Sequence, residues 1–392
     1  MINTELPALD VDQHYYEPID AFTRHCPKDW AARTVQIAKI GNRTRHIIAD
    51  KVDYSVTNPT FDPIVKPGAM ADYFRGNPEK KHLQEILSDR EPIPAHYRDR
   101  DARLAKLDEQ ELNSIWLLPS LGMGFEERLQ YDPPAAGQAF KAFNRWLLED
   151  WGYNYRDRIF GSPYLAFGDV ETAVAEVEHG LAHDARIFVV RAQAVYTDGG
   201  WRSPGDPIFD PIWARVQEAG AAVVVHVGEV GGSGLDKYTD YHGNIIGDIA
   251  SPLQIAVGHE RAIANYLAAV TCDRLFERFP SLRIASVENG AEFLPLLISG
   301  LNRAGFQRPG YFASDPVEQF REHVWVAPFW EDNLTEVVHH MGADHVLFGS
   351  DYPHPEGLAE PRQYEKVATE LKDPVAERKV MWDNAAKLTK LI

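Results

Sequence analysis

The sequence predicts a single-domain α/β protein, a (β/α)8 TIM barrel with a long insertion, a hairpin plus helices, after its first strand. Short apolar, β-branched runs recur along the 392 residues, and a longer segment with helical periodicity follows each of them. AAVVVHV (221–227) and RIFVV (186–190) are continuously apolar, which is typical of parallel strands covered on both faces. Alternating strands and helices form right-handed βαβ units, and eight of them favour a closed barrel, with a doubly wound sheet as the alternative.

The strands and helices follow from these patterns in chain order. Strands are predicted at Ala8–Asp12, Ser114–Leu118, Tyr164–Gly168, Ile187–Arg191, Ala222–His226, Arg283–Glu288, Val324–Pro328 and His345–Ser350. Helices are predicted at Asp169–His183, Pro211–Ala219, Glu260–Phe279, Glu292–Arg303 and Asn333–Met341. About 100 residues separate the first two strands, far more than most βα connections contain.

This extra length is predicted to form the insertion, at about residues 15–110. Residues 34–56 have the pattern of a hairpin that turns at Gly41 and Asn42, a Pro-rich loop follows, and Leu83–Leu107 is predicted as a helix. Irregular segments also follow the fourth strand, at residues 192–211, and the fifth, at residues 228–252. The sequence has no internal repeat or linker, so residues 1–392 are predicted to form one domain.

Composition limits the partners of this chain. Asp and Glu number 58 against 40 Lys and Arg, a net charge of −18, which argues against binding to nucleic acid or to an anionic membrane. The N-terminal residues lack the pattern of a signal peptide, and no apolar run approaches the roughly 20 residues that cross a bilayer. Cys26 and Cys272 are predicted to be reduced, as in a cytoplasmic protein.

Polar residues of metal-binding types end three predicted strands. Asp12 and His14 lie two apart at the end of the first strand and point the same way on an extended chain. His226 ends the fully apolar fifth strand, and Asp351 ends the eighth. Each also has an ordinary structural interpretation: a surface pair, a satisfied core histidine, a helix cap or turn former.

Their coincidence is more informative than any one of them. In a closed barrel strands 1 and 8 are adjacent, and strand 5 lies across the mouth. Two imidazoles and two carboxylates would therefore meet there, a ligand set for one divalent metal with an open, catalytic position. Such a metal polarises a substrate oxygen or activates water, and a carboxylate oxygen of Asp351 can shuttle a proton.

Three further side chains are candidates for substrate binding. Arg191 ends the fourth strand and is placed to bind a substrate carboxylate, with a salt bridge to a local acid as the alternative. Trp201 and Trp330 lie just beyond strand ends and are predicted to line an apolar pocket, unless they pack in a lid.

The chain resembles the amidohydrolase superfamily, in particular the amidohydrolase-related group that includes aminocarboxymuconate semialdehyde and resorcylate-type decarboxylases. The segments that carry the resemblance are DVDQHYYEP (10–18), VVVHVGE (223–229), LFERFPSLRIASVENGAEFLP (275–295), VLFGSDYPHPEG (346–357) and WDNAAKLTKL (382–391). The resemblance implies a metal-dependent barrel enzyme whose ligands correspond to Asp12, His14, His226 and Asp351. It also implies a small-molecule substrate.

The sequence departs from this family at two positions. Asp12 stands where the family often has His or Glu, and Glu288 stands where the similar decarboxylases carry a proton-transferring His. Glu288 is predicted to be a general acid or base, or a metal ligand. His259, at the start of the helix after the fifth strand, is a second acid–base candidate or further ligand, with a surface histidine as the alternative.

These observations predict a metal-dependent hydrolase or decarboxylase-type lyase acting on a small carboxylated organic substrate. One divalent metal is expected, Zn first and Fe or Mn as alternatives. Glu288 and His259 could complete a second metal position, so a dinuclear Fe or Mn oxygenase is an alternative function. A catalytically silent partner subunit of a hetero-oligomer is the third, and a homo- or hetero-oligomer is expected.

Overall fold

Buried parallel strands form the centre of the protein in a computed structural model that describes residues 6–54, 58–228 and 260–392. The strands of these ranges are β1 (Leu9–Tyr15), β2 (Val35–Ile40), β3 (Arg43–Ile48), β4 (Lys51–Val52), β5 (Ile64–Val65), β6 (Arg90–Glu91), β7 (Ser114–Pro119), β8 (Ile159–Gly161), β9 (Ile187–Arg191), β10 (Val195–Thr197), β11 (Gly200–Arg202), β12 (Ala222–His226), β13 (Arg283–Val287) and β14 (Val324–Val326).

Helices surround these strands. In chain order the α-helices of the described ranges are Ala71–Phe74, Leu83–Ile86, Arg100–Glu109, Gly122–Leu129, Pro133–Asp150, Val170–Ala182, Asp210–Ala219, Glu260–Cys272, Leu275–Arg278, Leu294–Gln307, Pro316–His323, Leu334–Met341, Glu365–Ala368, Pro374–Arg378 and Asn384–Leu388. Short 3₁₀ turns lie at Ala95–Tyr97, Pro207–Phe209, Ala343–His345, Pro361–Tyr364 and Thr369–Leu371, and a π-helical turn at Lys379–Asp383. In the described ranges, no helix has the length and apolar character that a membrane span requires.

Two parallel sheets hold the core. One has the order β1-β7-β8 and the other the order β14-β13-β12-β9. Single parallel bridges connect their edges, Tyr164 to Val189, Val326 to Val346 and Gln13 to Tyr352. Because every one of these pairings is parallel, the carboxyl ends of all these strands lie at one end of the molecule.

Two of the predicted strands are not regular strands. At Tyr164–Gly168 only Tyr164 forms a bridge, and β8 is the third strand of its sheet instead. The reason is a side chain: Asn144 Oδ1 accepts the Tyr164 N–H at 2.8 Å, and Asn144 Nδ2 donates to Tyr164 O at 2.9 Å. These hydrogen bonds satisfy the backbone groups that a strand ladder would otherwise pair.

The predicted eighth strand, His345–Ser350, is likewise an extended segment with a bridge at Val346 rather than a ladder. We call residues 346–352 the eighth segment. Asn384 Nδ2 donates to Val346 O at 2.8 Å, and the Ser350 N–H donates to Asp10 Oδ1 at 2.9 Å. Side chains again replace backbone partners, which the local sequence pattern does not show.

Two predicted helices are also interrupted. Leu83–Leu107 contains separate helices because Pro92 and Pro94 lie in an extended stretch between them, and Asp99 caps the second helix by accepting the Ala102 N–H at 2.7 Å. The predicted helix Glu260–Phe279 ends at Cys272 and restarts at Leu275, since Arg274 adopts a left-handed conformation with φ 59°. The helices Gly122–Leu129, Pro133–Asp150 and Pro316–His323 were absent from the prediction.

The residues between β1 and β7 form small antiparallel sheets beside the parallel core. β2 pairs with β3 around a turn at Gly41 and Asn42, β4 pairs with β3, and β5 pairs with β6. A small apolar cluster connects this region to the strand ends. Its buried members are Tyr16, Ile64, Tyr97 and Tyr352. The segment thus packs against the end of the core where the polar candidates lie.

Candidate metal centre

β1 carries two candidate ligands, Asp12 and His14, and both are buried. Its register against β7 shifts between Asp10 and Gln13, so that two residues of β1 lie opposite one of β7. Such a β-bulge changes the direction of nearby side chains. His14 Nε2 lies 3.2 Å from Asp12 Oδ1, so the bulged strand presents an imidazole and a carboxylate together.

His226 and Glu288 face each other across the ends of β12 and β13. His226 Nδ1 donates to Val227 O at 3.0 Å, which directs Nε2 into the cluster. His226 Nε2 lies 2.9 Å from Glu288 Oε2, the distance of an ion pair when the ring is protonated. Glu288 has φ 56°, a left-handed backbone conformation that is uncommon for residues other than glycine.

Asp351 completes the cluster from the end of the eighth segment, and it is also left-handed, with φ 55°. Its Oδ1 lies 3.3 Å from His14 Nε2 and 2.7 Å from His354 Nδ1. His354 stacks on His14 with ring centroids 4.0 Å apart. Asp351 therefore contacts a first-strand imidazole and the His354 imidazole from its own turn.

The hydrogen bonds of Ser120 fix the tautomer of His354. Ser120 Oγ donates to Tyr15 O at 2.8 Å, so it accepts from His354 Nε2, which lies 2.9 Å away. Burial and the charge of His14 lower the pKa of His354 to about 4, which keeps the ring neutral. Nδ1 of His354 then carries a lone pair and accepts a hydrogen bond from a protonated Asp351.

The protonation states of the cluster balance its charges. Burial opposes protonation of His14 and His226, but the surrounding carboxylates outweigh it, raising the pKa of His14 well above its usual value and that of His226 to about 9. Despite burial, contacts with the two histidines lower the pKa of Asp12 and Glu288. Burial and the Glu288 charge raise the pKa of Asp351. The two histidines thus favour their charged forms beside Asp12 and Glu288, whereas Asp351 favours its protonated form.

The same residues fit a divalent metal ion. Two overlapping groups have ligand atoms that all lie within 4.8 Å of one another, and they are Asp12, His14, His226 and Glu288, and His14, Glu288, Asp351 and His354. Imidazole and carboxylate donors suit Zn, Mn and Fe. His226 Nε2 and Glu288 Oε2 are buried atoms that lie 2.9 Å apart, close enough to bind one shared ion.

Metal binding is expected to tighten as the pH rises toward about 9. Below that pH His226 is protonated in the metal-free chain, and a ligand nitrogen must lose its proton, so metal and protons compete. His14 adds a second competing proton. Titration calorimetry with Mn²⁺ in buffers of different ionisation enthalpy should count about two protons released per metal near neutral pH. A metal affinity that does not change with pH would contradict this assignment.

Arg191 lies beside the cluster but already has acidic neighbours. It is in register with His226, so both side chains emerge on the same face of the sheet. Its Nε lies 3.4 Å from Glu126 Oε2 and its Nη1 lies 3.6 Å from Glu127 Oε2, while Nη2 donates to Gln130 Oε1 at 3.3 Å. The structure thus shows ion pairs with local acids, which was the alternative interpretation of this residue.

The two predicted pocket tryptophans lie in different surroundings. Trp201 is 48% exposed on β11 and packs edge-on against Tyr131 and Tyr196, with ring centroids 6.0 and 5.3 Å away. Trp330 is partly buried, and the Arg75 guanidinium lies 4.6 Å from its ring centroid. The structure does not bring these two rings together in one wall.

Two histidines differ in how sequence and structure treat them. His259 and residues 229–258 lie outside the described residues. His354 was not singled out, although it lies in the quoted segment VLFGSDYPHPEG, three residues after Asp351. That spacing is a usable signal, because a turn brings residues three apart together. Glu17 supports the same corner, since its Oε1 accepts the N–H groups of Ser120 and Leu121 at 3.0 and 2.9 Å.

Fold and site together define an α/β protein with a candidate metal centre at the carboxyl ends of its parallel strands. The chain belongs to the amidohydrolase family, whose model (Amidohydro_2, Amidohydrolase) matches residues 96–391. This confirms the resemblance that the sequence motifs indicated.

Individual proteins show the same relationship. A solved amidohydrolase from Mycobacterium avium subsp. paratuberculosis K-10 is 39% identical, with a TM-score of 0.92 over 99% of this chain and 100% of that chain. The dihydroxybenzoic acid decarboxylase of Polaromonas sp. JS666, solved with bound manganese and the inhibitor 2-nitroresorcinol, is 19% identical, with a TM-score of 0.60 over 82% of this chain and 93% of that chain.

A curated relative matches over a shorter stretch. The 2-amino-3-carboxymuconate-6-semialdehyde decarboxylase of Dictyostelium discoideum is 26% identical over 179 residues. The match covers 44% of this chain and 46% of that protein, so the chain spans about half the length of this curated relative.

Proposed function

We propose that this chain is a metal-dependent decarboxylase-type lyase that acts on a small carboxylated aromatic compound. The observation that carries the proposal is the group of Asp12, His14, His226 and Glu288, whose ligand atoms all lie within 4.8 Å of one another and in which His226 Nε2 lies 2.9 Å from Glu288 Oε2. The names of two similar proteins support the reaction type, since both are decarboxylases. Hydrolysis at the same centre is the alternative outcome.

The architecture belongs to the same proposal. We infer that the two parallel sheets and the eighth segment close into one (β/α)8 barrel, with residues of about 15–110 as an insertion in a single domain of residues 1–392. The bridges Tyr164–Val189, Val326–Val346 and Gln13–Tyr352 support closure because they link the edges of the two sheets in barrel order. The oligomeric state and the cytoplasmic location stay predictions.

Asp351 is the proposed proton donor. Decarboxylation breaks the bond between a substrate carbon and its carboxylate: CO₂ leaves, the electron pair stays on the carbon, and the carbon takes up one proton. A divalent metal bound at the centre polarises a substrate oxygen or lowers the pKa of bound water. Asp351 is suited to hold a proton because burial and the Glu288 charge raise its pKa in the metal-free cluster, and His354 orients it through the 2.7 Å contact at Oδ1.

Glu288 and His259 remain proposed acid–base groups or additional ligands. Glu288 is the better supported of the two as a ligand, because its Oε2 lies 3.4 Å from His14 Nε2 and 2.9 Å from His226 Nε2. Zn is the proposed metal, with Mn and Fe as alternatives, and the Polaromonas structure holds manganese.

We propose that Arg191 binds an acid group of the substrate. Its Nε and Nη1 atoms form no hydrogen bond with the described residues, so the N–H groups can reach a carboxylate if the side chain exchanges an acidic neighbour for it. Trp330 and Trp201 are proposed to contact the aromatic ring of the substrate. Of these two, Trp330 lies nearer the eighth segment, since its Nε1 donates to Glu356 O at 3.5 Å.

A substrate panel with metal analysis tests the function. Protein loaded with Zn²⁺ or Mn²⁺ is assayed for CO₂ release from carboxylated phenols, 2,6-dihydroxybenzoate among them, and from aminocarboxymuconate semialdehyde. We expect CO₂ release that requires the metal and is lost on chelation. Hydrolysis of esters or amides without CO₂ release would instead identify a hydrolase. A protein that shows no activity and binds no metal would be a silent subunit.

A dinuclear oxygenase is the second candidate, favoured by one observation. The second ligand group adds Asp351 and His354 to the donors of the first, and the two oxygens of the shared Glu288 carboxylate could bridge ions at neighbouring positions. Metal analysis and oxygen consumption separate the candidates. One metal per chain and no oxygen uptake support the lyase, whereas two Fe or Mn per chain with substrate-dependent oxygen uptake support the oxygenase.

A further inference from the structure

Asp10 is a buried carboxylate that lies next to the candidate metal centre but outside both ligand groups. It accepts four hydrogen bonds. Its Oδ1 accepts the N–H groups of Asp12 at 3.2 Å and Ser350 at 2.9 Å. Its Oδ2 accepts Gln13 Nε2 at 2.8 Å and Ser350 Oγ at 2.5 Å. One side chain therefore holds β1 and the eighth segment together directly beneath the ligands.

The β-bulge explains why Asp10 has this position. On a regular strand Asp10, Asp12 and His14 would project from the same face. The extra residue between Asp10 and Gln13 breaks that alternation, so that Asp12 and His14 enter the cluster while Asp10 contacts Ser350.

The two segments also approach each other closely at this point. A Cβ atom on Gly349 would lie 2.9 Å from Asp12 Cβ, too close for any side chain. Ser350 precedes Asp351, whose left-handed backbone requires support from its surroundings. Since Asp10 binds both the N–H and the hydroxyl of Ser350, it fixes the orientation from which Asp351 leaves the segment.

We propose that Asp10 is a positioning residue that sets the separation between the first-strand pair, Asp12 and His14, and Asp351. The inference rests on the proposed function, because it takes those three residues to serve a metal centre. Backbone hydrogen bonds from Val11 N–H to Phe348 O at 2.9 Å and from His14 N–H to Tyr352 O at 2.8 Å also join the two segments, so loss of Asp10 would free the residues between these bonds, Ser350 and Asp351 among them. The cluster would keep all its ligands, but their geometry would no longer match the metal.

The test compares Asp10→Asn with a matched control, Glu176→Gln. Glu176 is also buried and hydrogen-bonded, accepting from Asn144 Nδ2 and from the guanidinium of Arg145, but it belongs to neither ligand group. Both variants replace a carboxylate by its amide, so both are expected to melt at a lower temperature. Only Asp10→Asn is expected to weaken binding of Mn²⁺, by about tenfold or more, as outer-shell substitutions at metal sites do.

The measurement is competition for Mn²⁺ and Zn²⁺ against a fluorescent chelator, with melting curves in parallel. Ser350→Ala, which removes one of the four hydrogen bonds, should weaken binding in the same direction by a smaller factor and provides a readout if Asp10→Asn does not fold. If the Asp10→Asn or Ser350→Ala protein binds both metals as tightly as the wild type, the inference about Asp10 is wrong, while the proposed function is unaffected. A wild-type chain that binds neither metal would overturn the proposed function as well.

Discussion

Asp351→Asn is expected to lower turnover about 10³-fold while the fold and most of the bound metal are retained. The amide cannot deliver the proton that Asp351 holds, and positioned general acids contribute about 10²–10⁴-fold to rates. Metal should remain because Asp12, His14, His226 and Glu288 form a complete group without Asp351. Turnover of the substrate found in the panel, metal content and melting temperature are measured together.

The control for this substitution is Asp344→Asn. Asp344 forms an exposed ion pair with Lys379 at 2.9 Å, so its loss should leave turnover and metal content unchanged. An Asp351→Asn protein that keeps its metal and turns over within tenfold of the wild type would contradict the assigned role of Asp351.

His226→Ala is expected to abolish both tight metal binding and turnover. The Nδ1 contact with Val227 O directs the ligand nitrogen of His226 into the cluster, and the other described imidazole of that ligand group, His14, already supplies a ligand atom of its own. Removing a direct ligand should weaken the metal more than outer-shell changes do, by more than about 100-fold. Metal analysis after gel filtration and the panel assay measure the two effects.

His323→Ala provides a matched control, since His323 is a buried histidine outside the cluster. It hydrogen-bonds Leu282 O at 2.8 Å and stacks on Phe276. Its loss should reduce stability and leave the metal in place. If His226→Ala retained one tightly bound metal per chain, the proposed ligand set would be wrong.

The positions of the main site residues followed from the sequence because parallel strands share one direction. Asp12, His14, His226 and Asp351 each close an apolar run, so a parallel sheet brings them to one end of the molecule, and the structure places them in contact. That these four residues bind a metal stays a prediction.

Features that depend on side-chain contacts between distant segments did not follow from the sequence. The side chains of Asn144 and Asp10 hydrogen-bond the backbone of Tyr164 and Ser350, where a neighbouring strand would otherwise do so. The sequence pattern therefore predicts regular strands at two stretches that are not regular strands in the structure. The bulge in β1 and the contact of His354 with Asp351 depend on local register and on a positive φ, neither of which a pattern of apolar residues encodes.

The ion pairs of Arg191 also depend on contacts between distant segments. The sequence placed it at a strand end and left a substrate carboxylate and a local acid as equal possibilities. Its acidic neighbours Glu126 and Glu127 come from the helix after β7, some 60 residues earlier in the chain. Only the packing of that helix against β9 decides which acid the guanidinium meets.

The left-handed backbone at Glu288 and Asp351 restricts how this site can evolve. With φ near 55° at both positions, a β-branched residue is sterically excluded, whereas unbranched acids, amides and histidine are accepted. A lineage can therefore exchange Glu for His at residue 288, the residue type of the similar decarboxylases, without any rearrangement of the loop. The peptide geometry disfavours β-branched substitutions here and leaves exchanges among unbranched side chains open, so divergence at this corner changes chemistry before it changes shape.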